Sequence, residues 1–133
     1  PRISNKVLGT DRKRLRRGSL SKFKKYLDLE NPDRICFFTN EPLTDEELSI
    51  DHVLPWSYLY SDDLWNLVYV ERDYNSSKSN QIPNEGVIEK LEKRNQRLLN
   101  LLNGRGISTR HKEELELSIT NDLVRKFWVG CRG

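Results

Sequence analysis

The stretch IDHVLPWSYLYSDDLWNLVYVERDYNSSKS, residues 50–79, decides how this chain is read. Residues 48–54 alternate and then turn apolar, the pattern of a short strand that stops at Pro55. Leu67-Val68-Tyr69-Val70 is a second run of high β-propensity. An aromatic-rich loop, WSYLYSDDLWN, joins the two. ERDYNSSKSN (71–80) then opens a helix, with Glu71 and Asp73 early and Lys78 late, as the helix dipole favours. Asp51 and His52 stand side by side in this stretch, and Asn66 and Asn75 follow at wide intervals.

Upstream, residues 11–29 place Leu15, Leu20, Phe23, Tyr26 and Leu27 at mixed three- and four-residue spacings. That predicts an amphipathic helix with a basic outer face and a break at Gly18-Ser19. ENPDR (30–34) reads as a turn, Ile35–Phe38 as a short strand-like run, and 39–48 as a polar connection carrying Pro42. Downstream, Asn84 is placed to cap a helix that ends at Gly104. Its stripe combines Val87, Ile88, Leu91, Leu98, Leu99, Leu101 and Leu102. A last helix is expected from about Ser108 to Val129, carrying Leu115, Ile119, Leu123, Phe127 and Trp128. His111, at its start, reads as a surface histidine. The whole is an α+β pattern built on a small hairpin. It divides into a basic N-terminal helical segment (1–33), a core (34–83) and a C-terminal helical extension packed on that core (84–133).

A chain of 133 residues, 35% hydrophobic and 32% charged, fits one domain with a modest core and a strongly polar surface. No apolar run approaches the roughly 18 residues of a membrane span, and no signal-peptide core is present. A soluble, cytoplasmic protein is expected. Cys36 and Cys131 are too few for a disulfide scaffold or a four-cysteine zinc site; they read as free thiols, with one bridge between them left open. Methionine is absent, so either an initiator was removed ahead of Pro1 or the chain is a fragment of a longer protein, the favoured reading. Residues 1–26 hold ten Lys/Arg against Asp11 alone, a charge of +9, whereas the remaining 107 residues hold 13 basic and 19 acidic side chains, −6. A basic segment on a mildly acidic body suits an anionic polymer, and equally a solvated helix face or arm.

Asp51 is a hard oxygen ligand of the kind Mg²⁺ and Mn²⁺ prefer. His52, next to it on a strand, points to the other face, so one side chain can hold an ion while the other addresses a water beside it. An imidazole suits a general base at neutral pH. Asn75 offers a neutral amide oxygen, and Lys78, a helical turn later, can reach a phosphate. Each residue alone has an ordinary structural explanation.

Together they resemble the His-Asn-His/Asn (HNH) nuclease family. DHVLP (51–55) looks like the family's Asp-His, two apolar residues and Pro; Asn66 in LWNLV looks like its middle Asn, and NSSK (75–78) like its Asn-x-x-Lys. The asparagines lie 14 and 23 residues beyond His52, intervals similar to those of the nuclease domain of RNA-guided CRISPR effectors. With LEKRNQRLL, the stretch also resembles a common bacterial HNH-domain protein. The resemblance covers roughly residues 34–83. It implies a ββα-metal core with flanking N- and C-terminal helices, and a divalent-metal-dependent endonuclease acting on DNA. By that resemblance Asp51 and Asn75 hold one Mg²⁺, Mn²⁺ or similar ion and His52 activates water. Asn66 keeps His52 oriented. Lys78 holds the phosphate backbone, helped by Arg12, Lys13, Arg14, Arg16, Arg17, Lys22, Lys24, Lys25 and Arg72. The implied products carry a 5′-phosphate and a 3′-hydroxyl.

One departure concerns zinc. Many members place two Cys pairs around this hairpin, but here Thr39 follows Cys36 in CFFT and Tyr74 precedes Asn75. No structural zinc is expected, and the hairpin must be held by packing, through Phe37, Phe38, Trp56, Trp65 and Tyr74. Two alternatives stay open: a nucleic-acid-binding module that keeps the fold without cleaving, and a nuclease acting on RNA. A homodimer, or a specificity domain in a longer protein, is open as a further partner.

Overall fold

The computed structural model describes residues 20–74 and 82–133. Its only sheet among these residues is an antiparallel pair, β1 (Leu48–His52) and β2 (Leu67–Glu71), in the register Leu48↔Glu71 to His52↔Leu67. Five helices among the described residues surround it: α1 (Lys24–Glu30), the short α2 (Trp56–Leu59), α3 (Glu85–Gly104), α4 (Arg110–Thr120) and α5 (Leu123–Cys131). Single 3₁₀ turns, Ser21–Phe23 and Leu64–Asn66, lead into α1 and β2. Helical geometry resumes at residues 72–74, immediately after β2. The fold class is α+β.

Leu67 to Val70 are all buried, so β2 lacks the alternation of a sheet with one wet face. The long helix α3 shares one apolar cluster with it. Ile88, Leu91, Leu98, Leu99 and Leu102 recur at helical spacing on its buried side. Its start is capped as the sequence predicts, with Asn84 Oδ1 accepting from the Val87 N–H at 3.0 Å. One apolar cluster joins Phe23, Tyr26 and Leu27 of the N-terminal turn and helix to the hairpin, α3, Leu115, Val124 and Trp128. Trp128 Nε1 also donates to the Pro83 carbonyl at 2.7 Å, tying α5 to the entrance of α3.

Several expectations are corrected. The last helix is two. Its apolar period runs on unbroken, but Asp122 adopts φ 54° in a turn with Asn121, and α5 starts afresh. Ile35–Phe38 is no strand. Asn31 clasps Ile35 with its side-chain amide, 2.9 Å to N–H and 2.8 Å to C=O, leaving an isolated bridge to Pro42 and a turn. β1 stops at His52 rather than Leu54, because a side chain takes over the Leu54 backbone, as described below. The loop after Pro55 is partly helical. His111 is not a free surface residue: its ring packs 4.7 Å from Phe23 and 5.7 Å from Tyr26, and its Nδ1 lies 3.4 Å from Glu114. Of the first expected helix, residues 11–19 lie outside the described residues.

The turn that follows Cys36 is held by aromatic packing and by a lysine from α3. Phe38 stacks on Tyr74 at 5.2 Å and meets Phe37 edge-on at 5.2 Å. Lys90 of α3 reaches across to donate to the Phe37 carbonyl and, at 2.8 Å, to Asn40 Oδ1. Burial works to raise the Cys36 thiol, but hydrogen bonds from Thr39 and from the Glu71 and Phe38 backbone outweigh it and bring the thiol below its ordinary value. Trp65 is buried and stacks on Phe127. Trp56 instead packs against the exposed Tyr60.

Candidate active site

His52 closes β1 and Asn66 sits just before β2, so the antiparallel register brings them to the same end of the hairpin. Asn66 is fully buried and spends its amide on one partner. Its Oδ1 accepts from the Leu54 N–H at 2.8 Å, and its Nδ2 donates to the Leu54 carbonyl at 3.0 Å. Its own carbonyl accepts from the Val53 N–H at 2.9 Å. The Val53 bond keeps the strand register one step past His52, and the two side-chain bonds then take the ladder's place at Leu54, where the chain bends away.

The His52 side chain is only 4% exposed. Its Nε2 lies 2.8 Å from Asp62 Oδ1, and its Nδ1 lies 4.0 Å from Asp51 Oδ1. Asp51 and Asp62 keep 28% and 22% of their side chains open to solvent. A buried imidazole thus sits between two part-exposed carboxylates, one on the strand and one on the loop after α2. Such a site can accept a proton and hold positive charge close by.

The floor of the site is an internal polar clamp. Arg94 of α3 is 4% exposed, yet it faces backbone rather than a carboxylate. Its guanidinium donates to the Leu67 carbonyl at 2.7 Å, the Leu64 carbonyl at 3.2 Å and Asn95 Oδ1 at 3.0 Å. Asn95 in turn donates to the Trp65 carbonyl at 2.9 Å. The pair fixes the 3₁₀ turn that presents Asn66. Burial pulls the Arg94 guanidinium down to about 10, still charged at neutral pH.

Asp51, His52 and Asn66 are therefore brought together. Asn75 and Lys78 lie outside the described residues, as do Arg12, Lys13, Arg14, Arg16 and Arg17. Lys22, Lys24 and Lys25 are exposed beside the buried Phe23, Tyr26 and Leu27. Arg72 sits at the other end of the hairpin, where it donates to the Leu48 carbonyl at 3.3 Å, four residues or roughly 13 Å of strand from His52. Sequence reasoning missed Asp62, Arg94 and Asn95. The acid was present as a signal in SDD, and the clamp as two polar residues on the apolar stripe of α3.

Among the described residues, no three His, Cys, Asp or Glu side chains form a group able to hold a metal ion. The donors present at the site are nonetheless hard oxygens, with no thiolate among them, and they fit an oxygen-ligated divalent ion better than zinc. No described helix is long and apolar enough to cross a membrane. Residues 36–84 match the family model of the HNH endonuclease domain, an interval that contains both strands, His52, Asp62 and Asn66. Over that interval the chain is similar to the HNH endonuclease family.

Proposed function

We propose that this protein is a divalent-metal-dependent endonuclease that hydrolyses phosphodiester bonds in DNA, with residues 34–83 as a ββα-metal core. The observation that carries this reading is the buried His52, hydrogen-bonded at one nitrogen and set beside the part-exposed Asp51. An ion would be held by Asp51 and Asn75. When bound, it would supply positive charge to the crowded phosphate and to the departing 3′ oxygen.

His52 takes a proton from a water aligned with the scissile bond. The oxygen of that water forms the new bond to phosphorus, and the 3′ oxygen leaves with the old bond's electron pair on the opposite side. Burial of His52 keeps bulk water from competing for its hydrogen bonds. Asn66 acts at one remove: by clasping Leu54 it fixes the bend that follows His52 and hence the ring's direction. Arg94 and Asn95 hold Asn66 in place from beneath. Lys78 and the basic N-terminal segment, with Lys22, Lys24 and Lys25, engage the phosphate backbone and place the substrate without reading its bases.

The test is cleavage of an end-labelled duplex with Mg²⁺ or Mn²⁺, followed by ligation of the products. Fragments that religate carry 5′-phosphate and 3′-hydroxyl ends, as this mechanism requires. Fragments with 3′-phosphate ends would refute it. The chemistry needs no 2′-hydroxyl, so a matched RNA substrate belongs in the same experiment. Cleavage of RNA alone would retain the mechanism and replace the substrate.

A further inference from the structure

We infer that Asp62 is a positioning residue for His52, fixing the proton on Nε2 so that Nδ1 is the nitrogen that receives the proton from water. The inference rests on the nuclease reading for its consequence, but its geometry stands independently. His52 Nε2 and Asp62 Oδ1 are 2.8 Å apart, a distance for a charge-assisted hydrogen bond. An ionised carboxylate only accepts, so the shared proton belongs to Nε2. In the neutral ring, Nδ1 then carries the lone pair. That nitrogen lies 4.0 Å from Asp51 Oδ1, beyond hydrogen-bond reach, so Asp51 does not tie it up.

The loop that carries Asp62 is built to hold it there. Tyr60 adopts φ 56° and donates its N–H to the Trp56 carbonyl at 2.7 Å, reversing the chain after α2. The Ser61 hydroxyl donates to Asp63 Oδ2 at 2.6 Å. The Asn66 N–H donates to the Asp63 carbonyl at 2.9 Å, joining the loop to the Asn66 clasp. Two anchored segments, Asn66 on Leu54 and the Tyr60 reversal, thus bracket the carboxylate. When Nδ1 takes a proton from water, the ring becomes cationic and both nitrogens carry hydrogen. The Asp62 carboxylate keeps its own charge and stabilises that cation, the role an orienting acid has beside other catalytic histidines. The Nδ1 proton then returns to solvent as the site resets.

Two readouts test this. The first needs no substrate. Nitrogen-15 NMR of the ring nitrogens in the parent should show Nε2 protonated and Nδ1 bare in neutral His52, and Asp62→Ala should give a mixture of tautomers. A parent ring with its proton on Nδ1 overturns the inference, whatever the protein does to DNA. The second is kinetic. Asp62→Asn should lower kcat by roughly 10²–10⁴-fold with KM nearly unchanged. In a His52→Ala background, the same change should cost nothing more. Asp62→Asn with parental kcat, beside an inactive His52→Ala, overturns the inference and leaves the nuclease reading standing. A parent that cuts no nucleic acid sinks the nuclease reading, and the tautomer alone then decides the role of Asp62. Mn²⁺ titration of Asp62→Asn should give the parent's affinity; a loss equal to that of Asp51→Ala would make Asp62 a ligand and refute the positioning role.

Discussion

Replacing Asn66 by Ala removes the clasp on which the geometry of the site depends. Leu54 is fully buried, and its N–H and C=O are satisfied by the two ends of the Asn66 amide, at 2.8 and 3.0 Å. Truncation strands one buried donor and one buried acceptor, each worth about 1–3 kcal/mol. Water admitted to the vacated space recovers part of that, so the expected loss is about 2–4 kcal/mol. Against a total of roughly 5–15 kcal/mol for a domain, this is a large fraction but not collapse. Urea unfolding should show it directly. With a slope of about 2 kcal/mol per molar, the midpoint should fall by about 1–2 M, the slope staying constant. Asn66→Asp makes a sharper control. It keeps an acceptor for the Leu54 N–H but turns a second oxygen towards the Leu54 carbonyl, and should destabilise at least as much as Ala. A midpoint shift below about 0.3 M for both variants would show that the clasp does not hold the bend after His52.

Arg94→Met should cost about 2–4 kcal/mol in the same assay, because the Leu64 and Leu67 carbonyls lose their donor inside the core; an unchanged midpoint would refute the clamp. The pH dependence of stability should trace partly to Asp28. Burial works to raise its carboxyl, but hydrogen bonds from Arg34 and Tyr69, with the charges of Arg34 and Lys24, hold it below the ordinary value of 3.8. A depressed carboxyl stabilises the fold above its unfolded pKa, and that contribution is lost as pH falls through the lower folded value. Unfolding free energy followed from about pH 5 down to about pH 2 should therefore fall less steeply in Asp28→Asn than in the parent, and identical curves would contradict this. Charge reversal at Arg12, Arg14 and Arg16 should flatten the salt dependence of DNA binding by roughly 0.9 in log–log slope for each phosphate no longer neutralised, and an unchanged slope would place the basic segment away from the DNA.

The hairpin was legible because its period and its punctuation agree. β-propensity marks 67–70, Pro55 marks the end of the first run, and Asn84 marks the start of α3. The interval that matches the HNH endonuclease family model, residues 36–84, is the one in which Asp51, His52, Asn66 and Asn75 stand at readable spacings. What escaped was set by three-dimensional neighbours. SDD reads as turn chemistry, and only the reversal at Tyr60 swings Asp62 back to His52, ten residues earlier. Arg94 and Asn95 fall in the apolar register of α3, three and four residues after Leu91, and that misplaced polarity was the available sign of a buried clamp. The split between α4 and α5 escaped because Leu115, Ile119, Leu123 and Phe127 keep a helical period across it. There TND was the weaker, correct signal. Local turn preference won over periodicity.

Cleavage of supercoiled plasmid by the parent and by His52→Ala, each with Mg²⁺, Mn²⁺ or EDTA, tests the central claim most directly. Both proteins should unfold at nearly the same urea concentration, so that a loss of cutting reports chemistry rather than folding. The account predicts nicked or linear product from the parent with metal, none with EDTA, and none from His52→Ala under any condition, while both still shift the plasmid on a gel. Parental turnover by His52→Ala would contradict it, because the buried imidazole held by Asp62 would then have no part in the reaction.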